Sequence, residues 1–357
     1  MLLNESIKKT TRPFLITGPC SVESEQQMHL LVADLAIQGK THLVRGGIWK
    51  PRTRPDSFEG LGEIALPWLV DASHHNHLPC TVEVANAKHV ELALKHGVDC
   101  VWIGARTTVN PFAVQEIADS LRGVSLPVMI KNPINPDVQL WIGAFERLSK
   151  VGINDLVAVH RGFSMYNHTL YRNVPNWEIA IALKQFLPEI PLICDPSHIA
   201  GKRNLLLEIS QKAMDLNYNG LMIETHPFPD AALSDSAQQV TVVDLGNLLN
   251  KLILRNTQFT EEIIGEIENI RAHISKLDTQ LFALFSERMK LSELIGGIKK
   301  NHAITILQEE LWKKMLNERL VQGKELGLTP EFVRGVMDAI HMESITHQMS
   351  VMNNLNG

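Results

Sequence analysis

Eight short apolar runs, an abrupt change in proline use and a long helical periodicity beyond it predict a chain of the α/β class: a (β/α)8 TIM barrel followed by a small all-α module of three helices. The runs span residues 14–17, 42–45, 81–84, 100–103, 127–130, 156–159, 191–194 and 221–223, separated by helix-compatible stretches of roughly 12 to 20 residues. Eight such units suit a closed barrel better than an open doubly wound sheet, which would carry a glycine fingerprint. Neither G-x-G-x-x-G nor a P-loop is present. Of the 17 prolines, all but Pro330 lie at or before Pro229, which puts the junction of two architectures near residue 256.

The boundaries that follow are a barrel over residues 1–255, a linker over 256–261 and a helical module over 262–357. In the module, Ile263, Ile267, Ile270, Ile274, Leu277, Leu281 and Leu284 recur at spacings of three and four, an apolar face that needs a partner helix. The expected helices run from Thr260 to Gly296, from Leu307 to Gln322 before Gly323, and from Pro330 with Thr329 as N-cap. Three helices with so long an apolar face predict a module that pairs with its own copy, giving a homodimer.

At 357 residues and 45% hydrophobic content the chain has material for a large core and about two domains, which excludes a disordered or fibrous protein. The net charge of -5 comes from 34 basic and 39 acidic residues well mixed along the chain, without the basic surplus that nucleic acid binding needs. No apolar stretch approaches the ~20 residues of a membrane span. Residues 1–13 are polar with scattered lysines, so the expectation is a soluble cytoplasmic protein with no regulatory domain ahead of its first strand. Cys20, Cys80, Cys100 and Cys194 are too sparse for a disulfide framework and are read as reduced thiols.

Catalytic groups in such barrels come from the C-terminal ends of the strands. Following the eight runs in order are Cys20, Arg45 with Lys50, Glu83, Arg106, Lys131, His160 with Arg161, Asp195 with His198, and Glu224 with His226. Cys20 follows a Gly18-Pro19 bend, His198 follows Asp195-Pro196-Ser197, and Glu224 and Asp235 follow the last run. A thiolate, an imidazole and two carboxylates suit Mn2+, Fe2+, Co2+ or Zn2+ better than Mg2+ or Ca2+. Arg45, Lys50, Arg52, Arg106, Lys131, Arg161 and Arg203 are expected at the same mouth, more cations than one phosphate requires, so the substrates should be polyanionic. His74, His75 and His77 imitate a second metal cluster, but lying ahead of the third run they belong to the opposite face and read as a solvated helix end.

Gly18-Pro19-Cys20-Ser21, Arg45-Gly46-Gly47 leading to Lys50-Pro51-Arg52-Thr53, Gly104-Ala105-Arg106, Asp195-Pro196-Ser197-His198 and Leu233-Ser234-Asp235 closely resemble the 3-deoxy-D-arabino-heptulosonate 7-phosphate synthases of type I beta. That resemblance implies condensation of phosphoenolpyruvate with erythrose 4-phosphate, with Cys20, His198, Glu224 and Asp235 holding a divalent metal, Mn2+ foremost. It further implies Arg45, Lys50 and Lys131 on the phosphoenolpyruvate carboxylate, with Lys50 near the aldehyde oxygen as an acid. Arg106, Lys131 and Arg161 would take its phosphate, and Arg52 with Thr53 the phosphate of the sugar. The rival reading is the sister enzyme that makes 3-deoxy-D-manno-octulosonate 8-phosphate from arabinose 5-phosphate. It shares the fold but carries an asparagine-containing segment where this chain has Lys50-Pro51-Arg52-Thr53.

On the long helix Arg288 and Lys299 are eleven residues apart, which at ~100° per residue returns them to one face, whereas Arg271 points elsewhere. Ser344 and Gln348 are one turn apart on the third helix. From about residue 267 to 352 this combination resembles the all-helical chorismate mutases. The resemblance implies rearrangement of chorismate to prephenate, with Arg271 from a second copy, Arg288 and Lys299 on the carboxylates, and Lys299 with Gln348 on the ether oxygen. The chain departs from the family at Gln308-Glu309-Glu310-Leu311-Trp312, where Leu311 stands in place of an arginine and Glu309 or Glu310 is left to supply the acid. A second reading makes the module chiefly a dimerising regulatory domain that binds chorismate or prephenate and feeds back on the barrel.

Overall fold

The computed structural model describes residues 2–10, 13–50, 57–166, 170–255 and 260–353. The chain divides into two compact units, Met1–Thr257 and Gln258–Gly357.

In the first unit the strands are β1 (Phe14–Gly18), β2 (Leu43–Gly46), β3 (Cys80–Val84), β4 (Cys100–Ile103), β5 (Val128–Lys131), β6 (Leu156–His160), β7 (Leu192–Cys194) and β8 (Gly220–Glu224). They pair in parallel and in chain order, and β1 closes onto β8 to complete the barrel. Being covered on both faces, such strands read as continuous apolar runs rather than alternating ones. Ile16, Trp102, Met129, Val157, Val159 and Met222 fill the interior, while Val44, Val82, Val101, Ile130, Ala158 and Ile223 face the surrounding helices. Pro127 and Pro191 were counted into their runs, yet β5 and β7 begin one residue later. Neither proline has an N–H to donate, and each serves only as an acceptor, to Val101 N at 3.1 Å and Ala158 N at 2.8 Å.

The polar N-terminus holds a helix that its sequence does not announce, Leu3–Lys9. Leu3 and Ile7, one turn apart, are buried with the barrel interior, worth about 1.5–3 kcal/mol each. The N–H groups of Leu3 and Asn4, orphaned at the helix start, donate to the Asp155 carboxylate at 2.6 and 2.7 Å. Asp155 immediately precedes β6, so the helix closes the N-terminal end of the barrel and leaves the other end open.

Two glycines set the geometry at the open end. Gly18 has φ 143, and a Cβ there would lie 2.0 Å from the Arg45 carbonyl oxygen; a Cβ on Gly47 would lie 2.0 Å from that of Cys20. The loop that carries Cys20 is therefore seated against the end of β2.

In the second unit the helices are Glu261–Asn301, Glu309–Glu325 and Pro330–Asn353, and the third packs along the first. Thr260 caps the long helix at Ile263 N, 3.4 Å, and Thr329 caps the third at Phe332 N, 3.3 Å. Gly296 and Gly323, read above as stops, lie inside helices. A Cβ on Gly296 would meet Gln348 Cα at 3.0 Å, and one on Gly323 would meet Val333 Cγ2 at 2.4 Å, so both are packing glycines at helix crossings. Ile270, Ile274, Leu277, Leu281 and Leu284 remain at least half exposed or nearly so on the long helix. Among the described residues no helix is long and apolar enough to cross a membrane.

Candidate active site

At the open end, Cys20 leaves β1, Glu224 ends β8 and Asp235 lies in the segment after it; the register Gly18↔Glu224 brings the first two together. Cys20 Sγ, a carboxylate oxygen of Glu224 and one of Asp235 all lie within 4.8 Å of one another, with Sγ 3.3 Å from Asp235 Oδ2. His198 is at the edge of this group, its Nε2 3.7 Å from Glu224 Oε1, while its Nδ1 sits 2.8 Å from Asp195 Oδ2, which fixes the ring. Glu224 Oε2 accepts from Gln238 Nε2 at 2.6 Å, but Oε1 is buried without a hydrogen bond.

This set fits a divalent cation. Burial and the charge of Glu224 push the Cys20 thiol up to about 12, against the opposing pull of Lys50 and Arg45. A cation bound beside it would reverse that balance and leave a thiolate. Burial also pushes the two carboxylates up, yet both end below their ordinary values: His198 and Arg45 outweigh it at Glu224, and Arg172 and His198 at Asp235.

Above these residues opens a cavity of about 550 Å3 whose wall includes Lys50, Arg106, Lys131, Arg161 and Arg172. Lys50 Nζ donates to the Cys20 carbonyl at 2.5 Å and lies 3.0 Å from its sulfur. Lys131 pairs with Asp195 Oδ2 at 2.8 Å, and Arg161 donates to Asn173 Oδ1 at 2.7 Å. Burial lowers both, Lys131 in spite of Asp195, and Arg161 to about 10, the mark of cations whose charge the protein leaves undercompensated. Arg45 differs. It lies beneath the cavity floor, 1% exposed, with Nη2 3.1 Å from Glu224 Oε1, and that pairing raises its pKa although burial works the other way. The indole of Trp102 has Arg45 at 5.1 Å and Lys131 at 5.5 Å from its ring centre and donates to Glu83 at 3.1 Å.

Three sequence expectations need correction, the first being Arg45, which was expected at the mouth on the phosphoenolpyruvate carboxylate but is buried against Glu224. Arg203 does not reach the cavity: its guanidinium binds the Gln239 and Ser236 carbonyls and Asp230, and so holds the segment after β8. His160, counted among the strand-end groups, is fully buried between the Pro175 carbonyl and the Tyr218 hydroxyl, and burial pushes it down to about 4. Arg172 was missed. It stands far from any strand end, yet pairs with Asp235 Oδ1 at 3.0 Å and lines the cavity. Arg52 and Thr53 lie outside the described residues.

In the helical unit Arg288 donates to Ser344 Oγ, and Lys299 Nζ to the Ile306 carbonyl at 2.6 Å. Lys299, Ser344 and Gln348 are each at least nine-tenths buried, and Gln348 Oε1 has no hydrogen bond. Burial lowers the pKa of Arg288, with Arg319 adding to it, and lowers that of Lys299 as well. Leu311, Glu309, Glu310 and Arg271 are exposed, while Trp312 stacks on His341 with ring centres 3.9 Å apart.

Among curated relatives, a phospho-2-dehydro-3-deoxyheptonate aldolase of Thermotoga maritima is 29% identical over 226 residues, covering 63% of this chain and 64% of its own length. A 2-dehydro-3-deoxyphosphooctonate aldolase of Rhizobium meliloti is 22% identical over 271 residues, covering 67% and 88%. The crystal structure of a Thermotoga maritima phospho-2-dehydro-3-deoxyheptonate aldolase (DAHP synthase) matches with a TM-score of 0.61 and 26% identity, covering 67% of this chain and 68% of that one. Residues 270–349 match the chorismate mutase type II family. With residues 4–259 matching the family profile, the chain belongs to the DAHP synthetase I family.

Proposed function

We propose that the first unit condenses phosphoenolpyruvate with erythrose 4-phosphate to 3-deoxy-D-arabino-heptulosonate 7-phosphate and phosphate, and that the second rearranges chorismate to prephenate. One observation carries the first half: Cys20, Glu224 and Asp235 within 4.8 Å of one another, under a cavity walled by five cationic side chains. A metal held by these residues with His198, Mn2+ ahead of Fe2+, Co2+ or Zn2+, would supply Lewis acidity toward the aldehyde oxygen. Arg106, Lys131 and Arg161 hold the phosphate of phosphoenolpyruvate, and Lys131 with Lys50 its carboxylate, so that two anions are brought together in fixed orientation. Arg45 acts through Glu224, keeping that carboxylate charged and aimed. Lys50 is the proton donor to the oxygen that becomes a hydroxyl, and Arg52 with Thr53 takes the sugar phosphate.

The octonate aldolase relatives favour a second reading, in which the sugar is arabinose 5-phosphate. Phosphate release from phosphoenolpyruvate with each sugar decides between them; faster release with arabinose 5-phosphate overturns the heptulosonate reading.

In the helical unit Arg288 and Lys299 bind the carboxylates of chorismate and Gln348 with Lys299 its ether oxygen, while Arg271 comes from a second copy docked on the exposed face of the long helix. The rearrangement needs restraint and charge, not a nucleophile. Prephenate or chorismate bound there restrains the barrel, in a cytoplasmic homodimer. A chain cut near residue 256 should keep synthase activity and lose inhibition by prephenate; retained inhibition sinks the regulatory half.

A further inference from the structure

At the closed, N-terminal end of the barrel, a stretch of 26 residues from His74 to Asp99 folds three unlike donors together. The helix Ala65–His75 ends in a turn closed by His77 N to His74 O, 3.0 Å, and Leu78 N to Ser73 O, 3.0 Å, after which the chain doubles back into β3. His74 thereby comes to lie over Cys80, the first residue of that strand. The register Thr81↔Cys100 sets Asp99 beside the same residue, and Asp99 Oδ2 accepts from Cys80 N at 2.8 Å and lies 2.8 Å from His74 Nε2. Imidazole nitrogen, sulfur and carboxylate oxygen all fall within 4.8 Å of one another.

We propose that His74, Cys80 and Asp99 form a second metal site, for a thiophilic divalent ion of tetrahedral habit such as Zn2+, with water as the fourth ligand. A thiolate and a carboxylate bring two negative charges against the two positive ones of the ion, and a neutral imidazole completes the set. On binding, the Cys80 thiol proton passes to solvent, and His74 carries its one remaining proton on Nδ1, leaving Nε2 as donor. Burial and the charge of Asp99 raise the Cys80 thiol, so without a cation it is a poor nucleophile, which argues against a covalent role. The side chains of His74 and Asp99 are 46% and 38% exposed, which gives the ion an entry path. The three residues lie at the face where barrels place stability rather than chemistry. The ion therefore clamps a helix and two strands.

The test uses the full chain, stripped with a chelator and titrated with Cd2+ as probe, read by metal content after dialysis and by the thiolate-to-cadmium charge-transfer band. Wild type should bind about two equivalents, and His74→Ala and Cys80→Ser about one each. Cys20→Ser should also keep about one, together with a thiolate band that must then come from Cys80. His74 is exposed, so His74→Ala should fold and keep its synthase rate, and the remaining Cd2+ should still be lost on Cys20→Ser. Undiminished binding in His74→Ala overturns the proposal, as does a Cys20→Ser protein that binds no Cd2+.

Discussion

The barrel site and the helical unit both gather buried or half-buried cations, but they treat them differently. Arg45 is matched by Glu224 and its pKa rises; Arg288 donates to a hydroxyl and Lys299 to a carbonyl, and theirs fall. A cation already matched by a carboxylate has its charge spent on holding that carboxylate in place, whereas an unmatched one is stabilised when an anion arrives. Within the barrel Arg45, below the floor, has its pKa raised, whereas burial lowers that of Arg161 and, despite its pairing with Asp195, that of Lys131. The first site thus sets Arg45 among carboxylates, and the helical unit leaves Arg288 and Lys299 paired with neutral oxygens.

The contrast is broken most forcefully at Glu224. Glu224→Gln keeps the shape, removes one ligand charge and leaves Arg45 buried without its partner, so kcat/KM for synthesis should fall by about 10²–10³-fold or more, with a stability loss of up to about 3–5 kcal/mol. Chorismate consumption by the same preparation should hold steady. Equal loss of both activities would mean that the sites are not separately organised. Arg288→Ala is the mirror experiment: chorismate turnover should drop about 10²–10³-fold while phosphate release from phosphoenolpyruvate stays at the wild-type rate. A variant that consumes chorismate normally removes Arg288 from the site.

Acid sharpens the comparison with a smaller effect. Burial holds folded His160 down at about 4, whereas an unfolded histidine titrates near ~6.5. Between those values the unfolded chain binds the extra proton, so stability contributed by neutral His160 is complete above the upper value and is lost as pH falls toward the lower one. The barrel should lose up to about 1.4 kcal/mol per pH unit there from this residue. In the helical unit the sign is opposite, because the hydrogen bond that His347 donates to the Glu293 carboxylate raises its pKa, and its contribution is present in acid and lost as pH rises through its folded pKa. Denaturant titrations of wild type and His160→Gln at neutral and mildly acidic pH compare the two; parallel pH slopes would show that His160 carries no such linkage.

What the sequence disclosed follows from the range over which each feature is encoded. Parallel strands covered on both faces need unbroken apolar runs, so all eight were legible, as were Cys20 and Glu224 at their ends and Asp235 in the segment after the last. The helix Leu3–Lys9 was not, because two apolar residues one turn apart make no periodicity. Arg172 escaped because only the fold brings it to Asp235, and Arg203 was misplaced because a position near a strand end says nothing of where a long side chain goes. Gly296 and Gly323 read as stops because a glycine that ends a helix and one that lets another helix approach look alike in one dimension. His74 was judged with its histidine neighbours, whereas Cys80 and Asp99 meet it through the turn and the strand register.

Trp102 gives the buried floor an optical handle. Its indole has both Arg45 and Lys131 within 5.5 Å of its ring centre. An anion arriving at Lys131 should change the field at the ring. A change in tryptophan emission on mixing with a polyanion that is lost in Trp102→Phe would therefore report cavity occupancy without an added label, over the background of the other five tryptophans.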